Sequence, residues 1–144
     1  MSFKKVLFIF SLSLLVLSCS SKNKLLGTWK LSNVDIEKAI KVFPEDQQEF
    51  ARGMMNQAFK NVKGKMKITF EEGGVYQMQT PLLDGEIKVE KGKWSLSKDS
   101  KKLFLTNPDS GKEMHRVLKF TDKNLNLEMA QSGFGSMEMD FVKE

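Results

Sequence analysis

The chain has 144 residues and a net charge of +5, enough length for one domain with a hydrophobic core. The positive charge is lysine apart from Arg52 and Arg116, and no stretch interleaves arginine with aromatics, so a nucleic-acid surface is set aside. One cysteine, Cys19, and one histidine, His115, rule out an internal disulfide and a histidine–cysteine metal set, and no cofactor motif appears.

The chain opens with Lys4 and Lys5, followed by an apolar run from Val6 to Leu17. That is the length of a signal-peptide core and well short of the roughly 20 residues of a membrane span. Val16-Leu17-Ser18-Cys19 resembles the lipobox of bacterial lipoproteins, whose cysteine is the nucleophile that takes the lipid. The resemblance implies cleavage before Cys19, a diacylglyceryl group on its thiol, and fatty acylation of the new amine by a chain such as palmitate. The alternative is a free cysteine in a retained anchor. Residues 1–18 are then a signal peptide, 19–24 a lipidated cysteine with a polar tether, and 25–144 the folded domain. Ser20 in place of aspartate, with no acidic run behind it, points to a lipid anchor in the bacterial envelope, on the periplasmic side of the outer membrane.

From Leu25 the pattern alternates, with turn signals every eight to twelve residues, which predicts a single antiparallel barrel or sandwich of about eight strands. Strand one covers Leu25 to Val34. The others centre on Met66–Phe70, Tyr76–Gln79, Ile87–Leu96, Leu103–Leu105, Met114–Phe120, Leu125–Met129 and Met137–Phe141. Apolar parity changes between Ile87-Lys-Val89 and Trp94-Ser-Leu96, which predicts a bulge or bend at Lys91-Gly92. Between strands one and two the spacing is helical: Ile36, Ala39, Ile40 and Phe43 follow an Asp35 cap. Pro44-Glu45-Asp46 opens a second helix, whose Phe50, Ala51, Met54, Met55, Ala58, Phe59 and Val62 cover about half its circumference before Gly64. This pair either closes one barrel end or forms a lid over a ligand portal. The nearby Lys60, Lys63, Lys65 and Lys67 are either a solvated face or a contact for anionic lipid.

Leu26-Gly27-Thr28-Trp29 resembles the Gly-x-Trp signature of the calycins, which include the lipocalins and the intracellular fatty-acid-binding proteins, and Gly92-Lys93-Trp94 repeats it. The repeat is similar to that of small lipocalin-like lipoproteins of the Bacteroidetes type. The resemblance implies an up-and-down barrel in which tryptophan plugs one end and glycine lets the neighbouring chain pass closely. Two helices after strand one are more like the fatty-acid-binding proteins. That family holds a carboxylate with arginine and tyrosine on its last strand, where this chain has Met139 and Phe141, so the anchor is missing.

The expected interior comprises Trp29, Leu31, Met66, Ile68, Phe70, Tyr76, Met78, Trp94, Leu96, Leu103, Leu105, Leu118, Leu125, Leu127, Met129, Met137, Met139 and Phe141. Eight strands enclose space for a filled core or one small ligand, and the methionines would repack around varied apolar guests. Alternation puts Arg116 on the inward face with Met114, Leu118 and Phe120, and His115 outward. Three roles are open to Arg116: a stack over a signature tryptophan, an anchor for a ligand carboxylate or phosphate, or a strand end facing water. Leu82, Leu83 and Phe134 in turns are candidates for an apolar rim. No nucleophile, base and orienting group come together, so the chain does not read as an enzyme. Two classes remain: a binder of a small apolar or amphipathic molecule, with Arg116, Trp29, Trp94, Tyr76, Met78, Met139 and Phe141 as candidate contacts, or a filled barrel that docks an envelope protein.

Overall fold

The computed structural model describes residues 21–131 and 135–144; Cys19 and Phe134 lie outside them. Among the described residues eight strands alternate direction: β1 (Gly27–Asp35), β2 (Lys67–Glu71), β3 (Val75–Pro81), β4 (Ile87–Leu96), β5 (Lys102–Asn107), β6 (Gly111–Phe120), β7 (Asn124–Gln131) and β8 (Gly135–Lys143). Each pairs with the next, and β8 pairs back onto β1, closing an antiparallel barrel. The expected mainly β, up-and-down barrel is the fold. Its helices α1 (Glu37–Ile40) and α2 (Glu45–Val62) lie between β1 and β2, as the helical spacing predicts. No helix among the described residues is long and apolar enough to cross a membrane.

Alternation builds the wall. Phe70↔Tyr76 and Ile68↔Met78 pair across β2 and β3, and Leu125↔Phe141, Leu127↔Met139 and Met129↔Met137 pair across β7 and β8. Such facing apolar pairs are the unit of sheet stability. The core runs from Leu25 and Trp29 through Leu31, Ile68, Phe70, Leu103 and Leu125, all nearly or fully buried. Trp29 marks the closed end. Its indole Nε1 donates to the Leu25 carbonyl at 2.7 Å, and its ring lies 6.3 Å from Phe120. Residues 21–25 form a helical turn across this end, so the segment read as a polar tether is docked by its last residues.

Two strands differ from their expected facing. In β6 the inward pairs are Leu103↔His115 and Leu105↔Glu113, so His115 points in and Arg116 points out, the reverse of the alternation reading. A register shift between Val117 and Lys119 is the cause. The extra residue flips parity, so Phe120 faces inward while Met114 and Leu118, 49% and 41% exposed, face out. In β4 the parity change is not a bulge. Pairing with β3 runs unbroken from Val75↔Lys93 to Pro81↔Ile87, so Ile87 and Val89 face solvent. Gly92 serves a close approach instead: a Cβ there would lie 2.2 Å from the Thr106 carbonyl oxygen and 2.8 Å from Tyr76 Cε1.

The helical pair sits at the end opposite Trp29. The Asp35 carboxylate accepts from the Glu37 amide at 2.9 Å, although the N-cap is Ile36, one residue later than the expected Asp35 cap. Ile36, Ala39 and Ile40 pack with Ala51 and Met137 in a second small core. Arg52 binds Glu37 at 3.0 Å and also meets Glu49, tying the two helices. The Gly64 amide donates to the Leu31 carbonyl at 2.7 Å, which pins the end of α2 to β1. Only part of α2's wide apolar face is used: Ala51 is buried, while Phe50 and Met54 are 72% and 60% exposed.

Candidate ligand site

Between α2 and the open barrel end lies a cavity of about 660 Å³. From α2 it receives Phe43-adjacent Gln47, then Phe50, Ala51, Met54, Met55, Phe59 and Val62; from the barrel come Met66, Thr80, Met129, Met137 and Met139. Six methionines meet there, and unbranched thioethers adapt to guests of different shape. A volume of this size suits one small molecule. On the other flank of α2 a groove of about 680 Å³ runs past Phe50, Met54 and Leu83, so Leu83 takes part in an apolar rim.

The inner wall of β4–β6, next to the methionine cavity but outside its lining, is polar. Continuing inward parity along β4 from Trp94 and Gly92 places Glu90 and Lys88 on the inner side, paired across β3 with Met78 and Thr80. Asn107 follows Leu105 on β5, and Glu113 and His115 face in from β6. Lys88 and Glu90 form an ion pair at 2.6 Å. The buried His115, 5% exposed, has Nε2 3.5 Å from a Glu113 carboxylate oxygen, and its Nδ1 has no hydrogen-bond partner among the described residues. Burial pushes the His115 pKa below its ordinary value, opposed by the Glu113 charge and hydrogen bond. Burial also raises the Tyr76 hydroxyl; a hydrogen bond to Asn107 opposes this, and the charges of Glu90 and Glu113 add to it.

The sequence-predicted site residues are spread along the barrel. Met139 lines the cavity, and Met78 stands on the inner wall beside Glu90. Tyr76 is buried with the core. Trp29, Trp94 and Phe141 belong to the packed core; the Trp94 indole donates to the Glu71 carbonyl at 3.2 Å and meets Phe70 edge-on. Arg116 is on the outer surface, 2.8 Å from Glu128, which also takes Lys38 at 2.9 Å. These cations hold the Glu128 pKa low, Lys38 chiefly, and the hydrogen bond that Lys38 donates to Glu138 leads in raising the pKa of Lys38. The cation over Trp29 is Lys143, 5.1 Å from the ring and donating to the Lys24 carbonyl at 2.8 Å. Sequence reasoning missed the inward parity of Glu90, Glu113 and His115; for the two on β6 the signal was Val117, a β-branched residue on the parity opposite to Met114 and Leu118, and for Glu90 it was the parity of Trp94 on the same strand.

The profile of the lipocalin-like domain matches residues 25–127. The chain belongs to the lipocalin-like domain family. Among solved structures, this lipocalin-like barrel is similar to a lipocalin-like protein from Bacteroides uniformis ATCC 8492, with 18% identity over 84% of this chain and 99% of that one and a TM-score of 0.55. It is also similar to an uncharacterized protein from Bacteroides eggerthii DSM 20697, with 14% identity over 83% and 99% and a TM-score of 0.50. At these identities the likeness is one of fold. No curated protein sequence matches the chain.

Proposed function

We propose that this protein is a lipid-anchored lipoprotein of the bacterial envelope that holds a small apolar or amphipathic molecule at the mouth of its barrel. The observation that carries the reading is the 660 Å³ cavity walled by methionines under α2. The anchor rests on the Val16-Leu17-Ser18-Cys19 motif behind its apolar leader. The periplasmic side of the outer membrane follows from Ser20 after the cysteine.

Native mass spectrometry of the purified protein tests the binding. A stoichiometric adduct that denaturation releases makes it a carrier and gives the mass of the cargo. A clean mass, unchanged after incubation with envelope lipid extract, counts against it. It would favour the second reading, a barrel acting through its surface, for which the packed lower half and the exposed Ile87, Val89, Met114 and Leu118 speak. Palmitate labelling in cells that vanishes in Cys19→Ala would support the anchor, and membrane fractionation would test its place.

A further inference from the structure

The polar wall of β4–β6 adjoins the methionine cavity through Met129, and a guest that reaches it meets His115, Glu90 and Glu113. His115 is one step along the β6–β7 ladder from the outward pair Arg116↔Glu128, so it shares the inner face with Met129, which lines the cavity. Its Nε2 stands 3.5 Å from the Glu113 carboxylate, which favours the proton on that nitrogen. The other nitrogen, buried and without a partner among the described residues, is then a bare acceptor. A buried acceptor left unpaired costs about 1–3 kcal/mol, and a guest that donates to it removes that cost. The charges beside it have the same bias. Glu90 and Glu113 both raise the ionisation cost of the Tyr76 hydroxyl, so both carboxylates act on one region, and the one inward ammonium there, Lys88, is already held by Glu90.

We infer that the polar arc of β4–β6, with His115 Nδ1 as acceptor and Glu90 and Glu113 as flanking charges, selects amphiphiles whose head donates a hydrogen bond and carries no negative charge, an alcohol or an amine, and disfavours carboxylates. This rests on the cavity being a ligand site, and it names the class of ligand that site takes.

The test compares three guests with one tail. The closed barrel and its docked N-terminal turn lie within residues 21–144, so the chain from residue 19, with Cys19→Ser to keep lipid out of the assay, is suitable. N-phenyl-1-naphthylamine is bound, then displaced at neutral pH by decan-1-ol, decylammonium or decanoate. The alcohol and the amine are expected to displace it at concentrations at least about tenfold lower than decanoate, the worth of one good hydrogen bond. His115→Phe, which keeps a ring but removes the acceptor, should shrink the gap for the alcohol, and Glu113→Gln the gap for the ammonium. A melting curve for each variant reports its folding. Decanoate binding as tightly as the alcohol, or a gap unchanged in a folded His115→Phe, overturns the head-group inference and leaves the cavity reading standing. No binding of the probe or of any guest overturns both.

Discussion

Adding one methyl group at Gly92 should damage the barrel, while the same change at Gly53 should help it. A Cβ at Gly92 would sit 2.2 Å from the Thr106 carbonyl oxygen and 3.0 Å from its carbonyl carbon, more than an ångström inside ordinary contact of about 3.5 Å. These are backbone atoms, so no rotamer change relieves the clash; β5 must move off β4. Thr106 pairs with Lys93, the first rung of a four-rung ladder, and Trp94↔Leu105 in the core is the next. Overpacking costs about 1–3 kcal/mol, and a strained rung adds about 1 kcal/mol, giving roughly 2–4 kcal/mol for Gly92→Ala. For a domain of this size about 4 °C is lost per kcal/mol, so melting should fall by roughly 8–16 °C. Gly53 lies exposed on α2 with nothing within 4 Å of a built Cβ, and Gly53→Ala should gain about 0.5–1 kcal/mol from helix propensity alone. Urea and thermal unfolding followed by circular dichroism measure both. A Gly92→Ala protein that melts with the wild type would refute the close-approach argument.

Three further outcomes follow from the site. Arg116→Ala should change stability by less than about 1 kcal/mol, because the pair with Glu128 leaves the arginine mostly exposed, and it should leave amphiphile binding unaltered; lost binding would restore an inward role. Trp29→Phe should cost about 1–3 kcal/mol in chemical denaturation, since it strands the Leu25 carbonyl that now accepts from the indole at 2.7 Å. For His115 the folded pKa lies below the unfolded one, so the unfolded chain binds more protons as pH drops below about 6.5. Its contribution to stability is therefore complete above that value and is lost as pH falls toward the depressed folded pKa, with a slope of at most about 1.4 kcal/mol per pH unit. Unfolding free energies between pH 5 and 8 should show that slope in wild type and a flatter one in His115→Gln; equal slopes would mean the ring is not buried neutral.

What could be read in the sequence was whatever depends on local period alone. Turn signals and alternation sufficed for eight strands, and i, i+3, i+4 spacing sufficed for α1 and α2, because both are properties of a few neighbouring residues. Facing was harder, since it depends on pairing partners. In β6 the run Met114-His115-Arg116-Val117-Leu118-Lys119-Phe120 contains apolar residues on both parities, and the register shift at Val117 and Lys119 decides which set is inside. In β4 the apolar parity does change, but an unbroken ladder with β3 keeps Trp94 and Leu96 in and Ile87 and Val89 out. The methionine side of the mouth was partly visible for the converse reason: β7 and β8 hold one parity from Leu125 to Met129 and from Met137 to Phe141.

The two misread strands both bear on the site. A shift of one residue would exchange faces in the mouth half of β4 and β6, burying Ile87, Val89 and Met114 and exposing His115 and the half-buried Glu90, while Lys88 and Glu113 are already more than half exposed. Those three apolar side chains are now 61%, 49% and 49% exposed. Covering them would be worth roughly 1 kcal/mol each, about half of a full burial, and the exchange would also release a buried imidazole to water. Stability alone therefore favours the other register at this end by several kcal/mol. Toward the closed end β4 places Trp94 and Leu96 inward with no such conflict. A wall that keeps a histidine buried and three apolar side chains in water at that cost is shaped by what enters it, and that separates this end from the plugged end around Trp29.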